Sequence, residues 1–327
     1  MDKTDTAMPN TPTPAQSPSG IDYEVLVCTY NGADYIAEQL ESILRQQPAP
    51  QRVLVSDDGS TDDTRAIVNQ IAQSATIPVT IIDGPGRGVI RNVLTALPQT
   101  TADYVFLSDQ DDIWLDNKAA LFAEKMHSEH SPHLIFSDAW VWRPDTDEKH
   151  SFWELDQLRP SNAKDPRRLA FHNTVQGASA CVNRSLITAM EPTAEHPDIV
   201  MHDWWLALIA SGTGHIDFIT EATLLYRQHD SNQVGSQNKT NRRKRKLADT
   251  LTIANRILRQ AVAFTDQYYE ALPTEHQGFF KTYQEAMKSN VFHRIAFILR
   301  YWPLHRDLNR TFKLWASVLL VKGARRQ

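Results

Sequence analysis

The chain has 327 residues, of which 41% are hydrophobic, and a net charge of −5 at pH 7, so it is long enough to bury a sizeable core. Its two cysteines, Cys28 and Cys181, lie in apolar runs, which favours buried thiols in a reducing compartment over a disulfide framework. No apolar run is long enough to span a bilayer. Residues 1–20 are rich in Pro, Thr and Ser, so we expect a disordered tail and neither a signal peptide nor a membrane anchor.

Strands and helices alternate in the first part of the chain. Short apolar runs predict four strands, at Tyr23–Cys28, Val53–Ser56, Val79–Ile82 and Tyr104–Leu107. Apolar residues at helical spacing predict the helices between them and a further amphipathic helix at Lys118–Glu129. This alternation predicts an α/β fold with a parallel, doubly wound sheet.

The order changes after Leu134–Phe136, and the remaining elements are less regular. Residues 144–166 are polar and are expected to form a loop. The other predicted elements are a strand at Thr174–Val182, a helix at His202–Ala210, a pair of strands within Ile216–Arg227, a polar loop at 230–245 and a helical region from Leu247 onward.

Three carboxylates follow the fourth predicted strand, in Ser108-Asp109-Gln110-Asp111-Asp112. Ligands bind at this end of the strands in open α/β sheets, and crowded carboxylates repel one another unless a cation lies between them. Mg²⁺ or Mn²⁺ held by one or two carboxylates, with nucleoside diphosphate oxygens completing its shell, suits this pattern. The alternative is an Asp-rich turn that caps the helix starting near Asp116.

The first and second strands also end in polar segments, Thr29-Tyr30-Asn31-Gly32 and Asp57-Asp58-Gly59-Ser60. An Asp at this edge can accept the N3–H of uracil or thymine, and Tyr30 can stack on the base. A turn followed by a helix cap at Asp62 explains the second segment equally well when it is taken alone.

Taken in order, these three segments resemble family 2 glycosyltransferases with the GT-A fold. The sequence Asp109-Gln110-Asp111-Asp112, followed by Ile113 and Trp114, is similar to bacterial rhamnosyltransferases of surface polysaccharide assembly. The resemblance covers about residues 22–235 and implies three regions, which are a tail at 1–20, a GT-A domain with a Rossmann-like, mostly parallel sheet at 21–235, and a basic amphipathic helical region at 236–327.

The resemblance also implies roles for individual residues. It places the two metal-binding acids at Asp109 and Asp111, with His229 completing the metal or diphosphate site, although a lone histidine after a strand is more often a surface or core residue. It implies that ten residues surround the nucleotide-sugar, namely Thr29, Tyr30, Asn31, Asp57, Asp58, Arg87, Asn92, Asp109, Gln110 and Asp112.

The general base is expected in His202-Asp203-Trp204-Trp205, where the family usually carries Glu-Asp. His202 replaces the first acid, so Asp203 is left as the base. A helix N-terminus lowers the pKa of an Asp, whereas neighbouring Trp rings desolvate it and raise the pKa. In the alternative interpretation Asp203 is a helix cap and both tryptophans belong to the core.

For two further groups of residues, the sequence is compatible both with sugar binding and with packing in the core. Gly177-Ala178-Ser179 either makes room for an acceptor sugar or packs closely, and Trp140, Trp142 and Trp153 either stack on sugars or belong to the core.

The net charge conceals an acidic body joined to a basic tail. Residues 1–238 carry 16 Lys and Arg against 33 Asp and Glu, whereas residues 239–327 carry 18 against 6. The run Asn241–Lys246 alone fits a nucleic acid, but the apolar helix faces that follow it, beside Arg and Lys, favour an anionic membrane surface, and no nucleic acid is expected. The alternative is that these faces pack on the catalytic domain or in a homodimer.

The predicted function is therefore an inverting glycosyltransferase that uses Mg²⁺ or Mn²⁺ and a UDP- or dTDP-sugar, with dTDP-rhamnose as one candidate donor. The acceptor is expected to be a saccharide or a lipid-linked saccharide, and the enzyme to lie in the cytoplasm at the inner face of the plasma membrane. The alternatives are a metal-dependent nucleotidyltransferase, which would need a Gly- and Lys/Arg-rich phosphate loop after the first strand, and a non-catalytic binding protein for a nucleotide-sugar or nucleic acid.

Overall fold

The computed structural model describes residues 22–128, 130–229 and 247–301, together with residues 315, 318 and 319. Within these ranges the chain forms nine strands, which are β1 Tyr23–Thr29, β2 Arg52–Asp57, β3 Val79–Asp83, β4 Tyr104–Ser108, β5 Ile113–Trp114, β6 His133–Arg143, β7 Glu148–Ser151, β8 Ala180–Asn183 and β9 His215–Arg227. The tail at 1–20, the loop at 230–245 and the basic run at 241–246 lie outside the described residues.

Eleven α-helices accompany the strands in the described part of the chain. They are α1 Ile36–Leu44, α2 Thr64–Ser74, α3 Val89–Ala96, α4 Lys118–Ala123, α5 Phe152–Leu155, α6 Pro166–Leu169, α7 Arg184–Met190, α8 His202–Thr213, α9 Leu247–Tyr268, α10 Thr274–Lys288 and α11 Val291–Tyr301. None of them is long and apolar enough to cross a bilayer.

All nine strands join one sheet, in the order β3-β2-β1-β4-β8-β6-β9-β5, with β7 paired to β6. The first four strands of this order are parallel, as the alternation of strands and helices predicts. Strand β8 is antiparallel to both of its neighbours, and β6 and β9 are parallel to each other. Because β1, β2 and β4 run in the same direction, the three polar segments that follow them meet at one edge of the sheet.

The predicted pair of strands within Ile216–Arg227 is wrong, because this segment is the single strand β9. Its pairing with β6 shifts register at Ser137/Asp138 and again between Asp138 and Trp140. The exposed residues Thr220 and Glu221 imitate a turn in the sequence, but the irregular pairing absorbs them within one bent strand. The bend allows β9 to pair with β6 and also with the short strand β5.

Three other predicted elements differ from the structure. The expected loop at 144–166 contains β7 and α5, since backbone pairing with β6 does not require apolar side chains. The expected strand at Thr174–Val182 is a 3₁₀ turn at Gly177–Ser179 followed by β8. The helix expected to continue to Glu129 ends at Ala123, and the chain turns to start β6.

The core lies on both faces of the sheet, and the C-terminal helices take part in it. On one face, the ring centroid of Trp205 in α8 lies 6.3 Å from that of Phe264 in α9. Phe171 similarly lies 5.4 Å from Tyr283 of α10. These contacts answer part of the question left open by the sequence, since α9 and α10 pack on the sheet domain. The outer side of α11 is different, because it leaves Val291, Phe292, Ile295 and Leu299 exposed.

Candidate active site

The segments after β1 and β2 are fastened to each other at the edge of the sheet. Asn31, in the left-handed region with φ 48°, accepts a hydrogen bond from the Thr61 amide at 2.8 Å, and its own amide donates to the Ser60 hydroxyl at 2.8 Å. Tyr30 stands beside this junction with its side chain 52% exposed. The phenol ring is therefore in a position to stack on a flat ligand.

Gln110 connects the acidic segment to the segment after β1. Its Oε1 accepts hydrogen bonds from the Thr29 hydroxyl at 2.7 Å and from the Tyr30 amide at 2.9 Å. Its Nε2 donates to the Tyr30 carbonyl at 3.1 Å. A Cβ at Gly32 would lie 2.2 Å from Gln110 Oε1, so a larger residue there would push the Gln110 side chain out of these hydrogen bonds. The amide of Gln110 thus positions the acidic segment against β1.

Asp57 and Asp58 use their carboxylates in different ways. Asp58 accepts one backbone amide at each oxygen, from Gly86 at 2.7 Å and Gly88 at 2.6 Å, and so shapes the turn before α3. Asp57 Oδ1 accepts the amides of Gly59 and Ser60 at 3.2 and 3.0 Å. Asp57 Oδ2 is buried and has no hydrogen-bond partner among the described residues, so one acceptor is left unsatisfied behind the site edge.

The two residues predicted near the nucleotide-sugar after β3 lie in different surroundings. Asn92 is buried, donates to the Ser56 carbonyl at 2.9 Å and holds the end of β2. Arg87 is largely exposed and forms an ion pair with Glu195 at 2.9 Å. This ion pair connects the turn before α3 to the segment before α8.

The acidic segment meets the end of β9. His229 Nε2 lies 2.9 Å from Asp111 Oδ2, although 118 positions separate the two residues in sequence. The imidazole also stacks on Tyr35, with 4.6 Å between ring centroids. The structure therefore brings together the histidine and the acid that the family resemblance assigns to metal or diphosphate binding.

Arg227 completes this junction, and the sequence argument had not selected it. Its Nε donates to the Asp111 carbonyl at 2.9 Å, its amide donates to Asp112 Oδ1 at 3.2 Å, and its guanidinium pairs with Glu38. The guanidinium also lies over the ring of Trp142, 4.9 Å from its centroid. The one sequence signal was its place in Tyr226-Arg227-Gln228-His229, two residues before the predicted ligand.

Burial and mutual repulsion raise the affinity of the acidic segment for positive charge. Burial, Asp111 and Asp203 together raise the pKa of Asp109 to about 7. Burial also raises the pKa of Asp112 well above its ordinary value, and the charges of Asp111 and Asp109 act in the same direction. A cation placed here would relieve that repulsion, and the oxygen-rich donor set fits Mg²⁺ or Mn²⁺.

Asp203 lies at the start of α8, and its carboxylate accepts three N–H groups. They are the amide of Trp204 at 2.5 Å, the amide of Gly177 at 3.1 Å and the side-chain nitrogen of Asn173 at 3.2 Å. Burial nevertheless raises the pKa of Asp203 above its ordinary value, against the opposing effects of His202 and these donors. Desolvation thus outweighs the helix N-terminus, and the carboxylate is a stronger proton acceptor than an exposed Asp.

The surroundings of Asp203 resolve several open alternatives. Trp204 and Trp205 are core residues whose indole N–H groups donate to the Leu169 carbonyl and the Thr193 hydroxyl. A Cβ at Gly177 would lie 2.7 Å from His202 Nε2, so close packing explains this glycine. Of the three tryptophans for which the sequence left stacking and packing open, Trp153 is buried, whereas Trp140 and Trp142 are partly exposed.

Lys118 is a second residue that the sequence argument missed. It is fully buried below the acidic segment, donates from Nζ to the Ala178 carbonyl at 3.1 Å and lies 4.6 Å from the Trp114 ring centroid. Burial lowers its pKa to about 7, and Asp112 opposes this change. A lysine at the start of an amphipathic helix carries no sequence signal for such burial.

Comparison with known proteins identifies the family. Residues 24–186 match the model of glycosyl transferase family 2. Over 222 residues the chain is 26% identical to the dTDP-rhamnosyl transferase RfbG of Shigella flexneri, which corresponds to 64% of this chain and 74% of that protein. Over 94 residues, 29% of this chain, it is 33% identical to the UDP-Glc:alpha-D-GlcNAc-diphosphoundecaprenol beta-1,3-glucosyltransferase WfgD of Escherichia coli, of which it spans 36%.

Two solved structures share the fold. One is S. aureus TarS 1-349 in complex with UDP-GlcNAc, with a TM-score of 0.51 and 16% identity over 91% of this chain and 79% of that one. The other is the mannosyltransferase PcManGT from Pyrobaculum calidifontis in complex with GDP-Man and Mn²⁺, with a TM-score of 0.53 and 18% identity over 93% of this chain and 86% of that one. Residues 24–186 thus form a glycosyl transferase family 2 domain, and the chain is a glycosyltransferase of that family with the GT-A fold.

The family match confirms the resemblance seen in the three polar segments. It argues against the nucleotidyltransferase alternative, which is a different class of enzyme, whereas the non-catalytic alternative is tested by transfer activity.

Proposed function

We propose that this chain is a metal-dependent, inverting glycosyltransferase that transfers a sugar from a UDP- or dTDP-sugar to a saccharide or lipid-linked saccharide in cell-surface polysaccharide synthesis. The proposal rests on the Asp111–His229 pair and on Asp203, whose own pKa is raised and whose charge helps to raise the pKa of Asp109 in the acidic segment. The Asp111–His229 pair suits the metal ion of a bound diphosphate, and Asp203 suits the removal of a proton from an acceptor hydroxyl. dTDP-rhamnose is the first donor to test, because RfbG is named a dTDP-rhamnosyl transferase.

Mg²⁺ or Mn²⁺ would be held by Asp111 and His229, with Asp109 beside them, and would offset the charge of the departing nucleoside diphosphate. The donor set supports this assignment, since carboxylate oxygens and crowded negative charge favour a hard divalent ion. Few protein ligands are needed, because such ions keep positions for phosphate oxygens. The PcManGT complex, which contains Mn²⁺, supports the same choice.

At the other end of the nucleotide, the base would lie against Tyr30 and Asp57. The exposed Tyr30 ring offers a stacking surface, and the buried Asp57 Oδ2 lacks a hydrogen-bond donor among the described residues. The N3–H of uracil or thymine would supply such a donor once the side chains that cover Asp57 Oδ2 move aside, which favours a pyrimidine nucleotide. Asp58 would act indirectly, because both of its oxygens hold the turn at Gly86–Gly88.

Asp203 would accept the proton of the acceptor hydroxyl as that oxygen attacks the anomeric carbon from the side opposite the diphosphate. The raised pKa of Asp203 makes it a better proton acceptor. Its bonds to Asn173 and Gly177 fix its orientation. One displacement through an oxocarbenium-like transition state gives inversion at that carbon.

The decisive experiment combines binding and transfer. The melting temperature is measured with UDP, dTDP, GDP or CDP, each in the presence of Mn²⁺ or EDTA. We expect it to rise only with UDP or dTDP, and only when Mn²⁺ is present. Asp111→Asn should lose this rise, whereas Asp203→Asn should keep it and lose transfer of sugar from the matching donor. Transfer that survives in Asp203→Asn, or a melting rise that is equal with EDTA, would contradict the proposal.

For location, we propose that the outer face of α11 binds an anionic membrane surface. Phe292 and Leu299 are 75% and 74% exposed on this face, beside Val291 and Ile295. Residues 239–327 carry 18 Lys and Arg against 6 Asp and Glu, so the charge of the region complements anionic lipids. A lipid-linked acceptor would lie at the same surface.

Sedimentation with vesicles tests this second proposal. Phe292→Asp/Leu299→Asp is expected to abolish binding to phosphatidylglycerol vesicles while leaving nucleotide binding intact. Leu155→Asp is the matched control, since Leu155 is also exposed, at 44%, but lies in α5 of the sheet domain. Equal sedimentation of the double variant and the wild type would refute membrane binding through this face, and a shift in oligomeric state alone would assign the face to a homodimer.

A further inference from the structure

Three histidines come together at the edge of the sheet opposite the active site. His127 lies in the turn after α4, His133 is the first residue of β6 and His215 is the first residue of β9. One side-chain nitrogen of each lies within 4.8 Å of those of the other two. No other group of three or more His, Cys, Asp or Glu side chains in the described part of the chain meets this distance.

The three imidazole rings lie close together, with His215 stacked at 20° on His133 and at 19° on His127. The ring centroids are 4.0 Å apart for His133 and His215, 4.9 Å for His127 and His133, and 5.6 Å for His127 and His215. Zinc–nitrogen bonds of about 2.0–2.1 Å in a tetrahedral site place ligand nitrogens roughly 3.4 Å apart. Stacked rings do not aim their nitrogen lone pairs at one point, so binding requires the partly buried His127 and His215 side chains to rotate toward His133.

The buried member of the group is already oriented by its neighbours. His133 is fully buried, and its Nδ1 lies 2.7 Å from the Tyr104 hydroxyl. Its Nε2 faces Asp217 Oδ2 at 3.5 Å. Asp217 is in turn held by Lys164, whose Nζ donates to Oδ1 at 3.0 Å. Metal-binding histidines in proteins are commonly fixed in this way, by a second bond from the ring and by hydrogen-bonded carboxylates beside them.

The group is separate from the site for sugar transfer. Tyr104, the partner of His133, begins β4, whereas Ser108 ends it next to the acidic segment. Five residues of extended strand separate the two ends by roughly 13 Å. The ligand chemistry differs as well, because imidazole nitrogen favours zinc and its neighbours in the transition series, and carboxylate oxygen favours Mg²⁺ and Mn²⁺.

We propose that His127, His133 and His215 bind one Zn²⁺ ion, with a water molecule in the fourth position and the Asp217 carboxylate beside His133 orienting its ring. The ion ties the turn after α4 to the first residues of β6 and β9, and its role is to stabilise the fold. It takes no part in sugar transfer. This inference does not depend on the proposed donor or acceptor.

The test uses the full chain without a histidine tag, stripped with EDTA and dialysed. Zn²⁺ is titrated by calorimetry and by thermal melting in the presence of saturating Mg²⁺, which occupies the acidic segment. We expect one Zn²⁺ per chain and a rise in melting temperature, because an ion that binds only the folded state stabilises it. Both should persist in Asp111→Asn, and both should be lost in His127→Ala/His215→Ala.

His150→Ala/His293→Ala is the matched control, since it removes two exposed histidines elsewhere and should bind Zn²⁺ as the wild type does. Co²⁺ provides a second readout, because tetrahedral coordination gives strong visible absorption that should vanish in the His127 and His215 variants. If the double variant does not fold, Asp217→Asn should still weaken Zn²⁺ binding about tenfold or more. Absence of Zn²⁺ binding, unchanged binding in the double variant, or loss of binding in Asp111→Asn would overturn the proposal.

Discussion

At the scale of single residues, the surroundings of each carboxylate determine its chemistry. Asp58 has both oxygens bonded to backbone amides and acts as a part of the turn. Asp57 keeps one buried oxygen without a partner among the described residues. Asp203 is buried at a helix start, where desolvation dominates and raises its pKa. Aspartates that look equivalent in the sequence therefore differ in hydrogen bonding and in pKa, and so differ in the roles that we propose for them.

The raised pKa of Asp203 predicts the pH dependence of transfer. The base must be ionised, so kcat/KM should fall as the pH is lowered through a value above the ordinary pKa of an Asp. His202 opposes the rise, and His202→Gln should therefore move this acidic limb to higher pH. Asp203→Asn should remove the limb and reduce kcat by about 10²–10⁴-fold. Rates measured across pH for the three proteins check this, and an acidic limb that remains in Asp203→Asn would assign it to another group.

Burial of Lys118 is predicted to lower the stability of the fold in a way that depends on pH. Its pKa is about 7 in the folded chain and near 10.5 when exposed, so between these values the unfolded chain binds a proton that the folded chain does not. Stability is therefore lost as the pH falls from 10.5 to 7, and the loss stays constant below 7. Lys118→Met should raise the free energy of unfolding by roughly 1–4 kcal/mol below pH 7 and by little above pH 10.5.

Urea unfolding at the two pH extremes measures this difference. Lys125→Met, at an exposed position on the turn after α4, is the control and should change stability by less than about 0.5 kcal/mol. A Lys118→Met protein that is less stable at both extremes would show that the hydrogen bond to Ala178 and the contact with Trp114 outweigh the cost of burying the amine.

At the scale of elements, the junctions between helices and strands carry the tightest constraints. Gly214 joins α8 to β9, and a Cβ there would lie 1.9 Å from the Pro132 carbonyl oxygen. That oxygen accepts the His215 amide at 2.9 Å and so anchors the start of β9. Gly278, within α10, has no atom within 4 Å of a built Cβ. Close backbone packing therefore requires glycine at position 214, whereas position 278 has room for a side chain.

Substitution of each glycine by alanine should change the free energy of unfolding in opposite directions. Gly214→Ala is expected to lower the free energy of unfolding by about 1–3 kcal/mol, because backbone must move to admit the methyl group. Gly278→Ala is expected to raise it by about 0.5–1 kcal/mol, since alanine has the higher helix propensity. Chemical denaturation of both variants beside the wild type measures the two effects. Equal effects of the same sign would contradict the packing at Gly214.

At the scale of the whole molecule, the C-terminal helices and the sheet share one core. Phe264 of α9 is fully buried between Trp205 of α8 and Phe280 of α10, with 6.3 and 5.3 Å between ring centroids. The predicted division at residue 235/236 lies outside the described residues and stays a prediction. Residues 247–288 are packed as a layer of the same body.

This shared core predicts cooperative unfolding of sheet and tail. Phe264→Ala should lower the free energy of unfolding by about 3–5 kcal/mol and shift a single transition seen by both tryptophan fluorescence and far-ultraviolet circular dichroism. Phe292→Ala, at an exposed position on α11, is the control and should change it by less than about 0.5 kcal/mol. Two separate transitions in the wild type would mean that α9 and α10 fold independently of the sheet.

The sequence by itself determined the parallel half of the sheet, the three polar segments at its edge and the family, because these depend on local apolar runs and on short contiguous motifs. Through the same family resemblance it predicted roles for Asp203 and His229, and these roles stay predictions. What it left open were the roles of the individual aspartates, since those depend on which neighbours arrive from distant parts of the chain.

Only the tertiary structure decided those contacts. Arg227 reaches the acidic segment because β9 is one bent strand, and Lys118 is buried because Ala178 and Trp114 enclose it. The group of three histidines likewise joins positions 127, 133 and 215 through the parallel pairing of β6 and β9. Such side chains carry no local pattern, because their partners are fixed by strand order and register rather than by spacing along the chain.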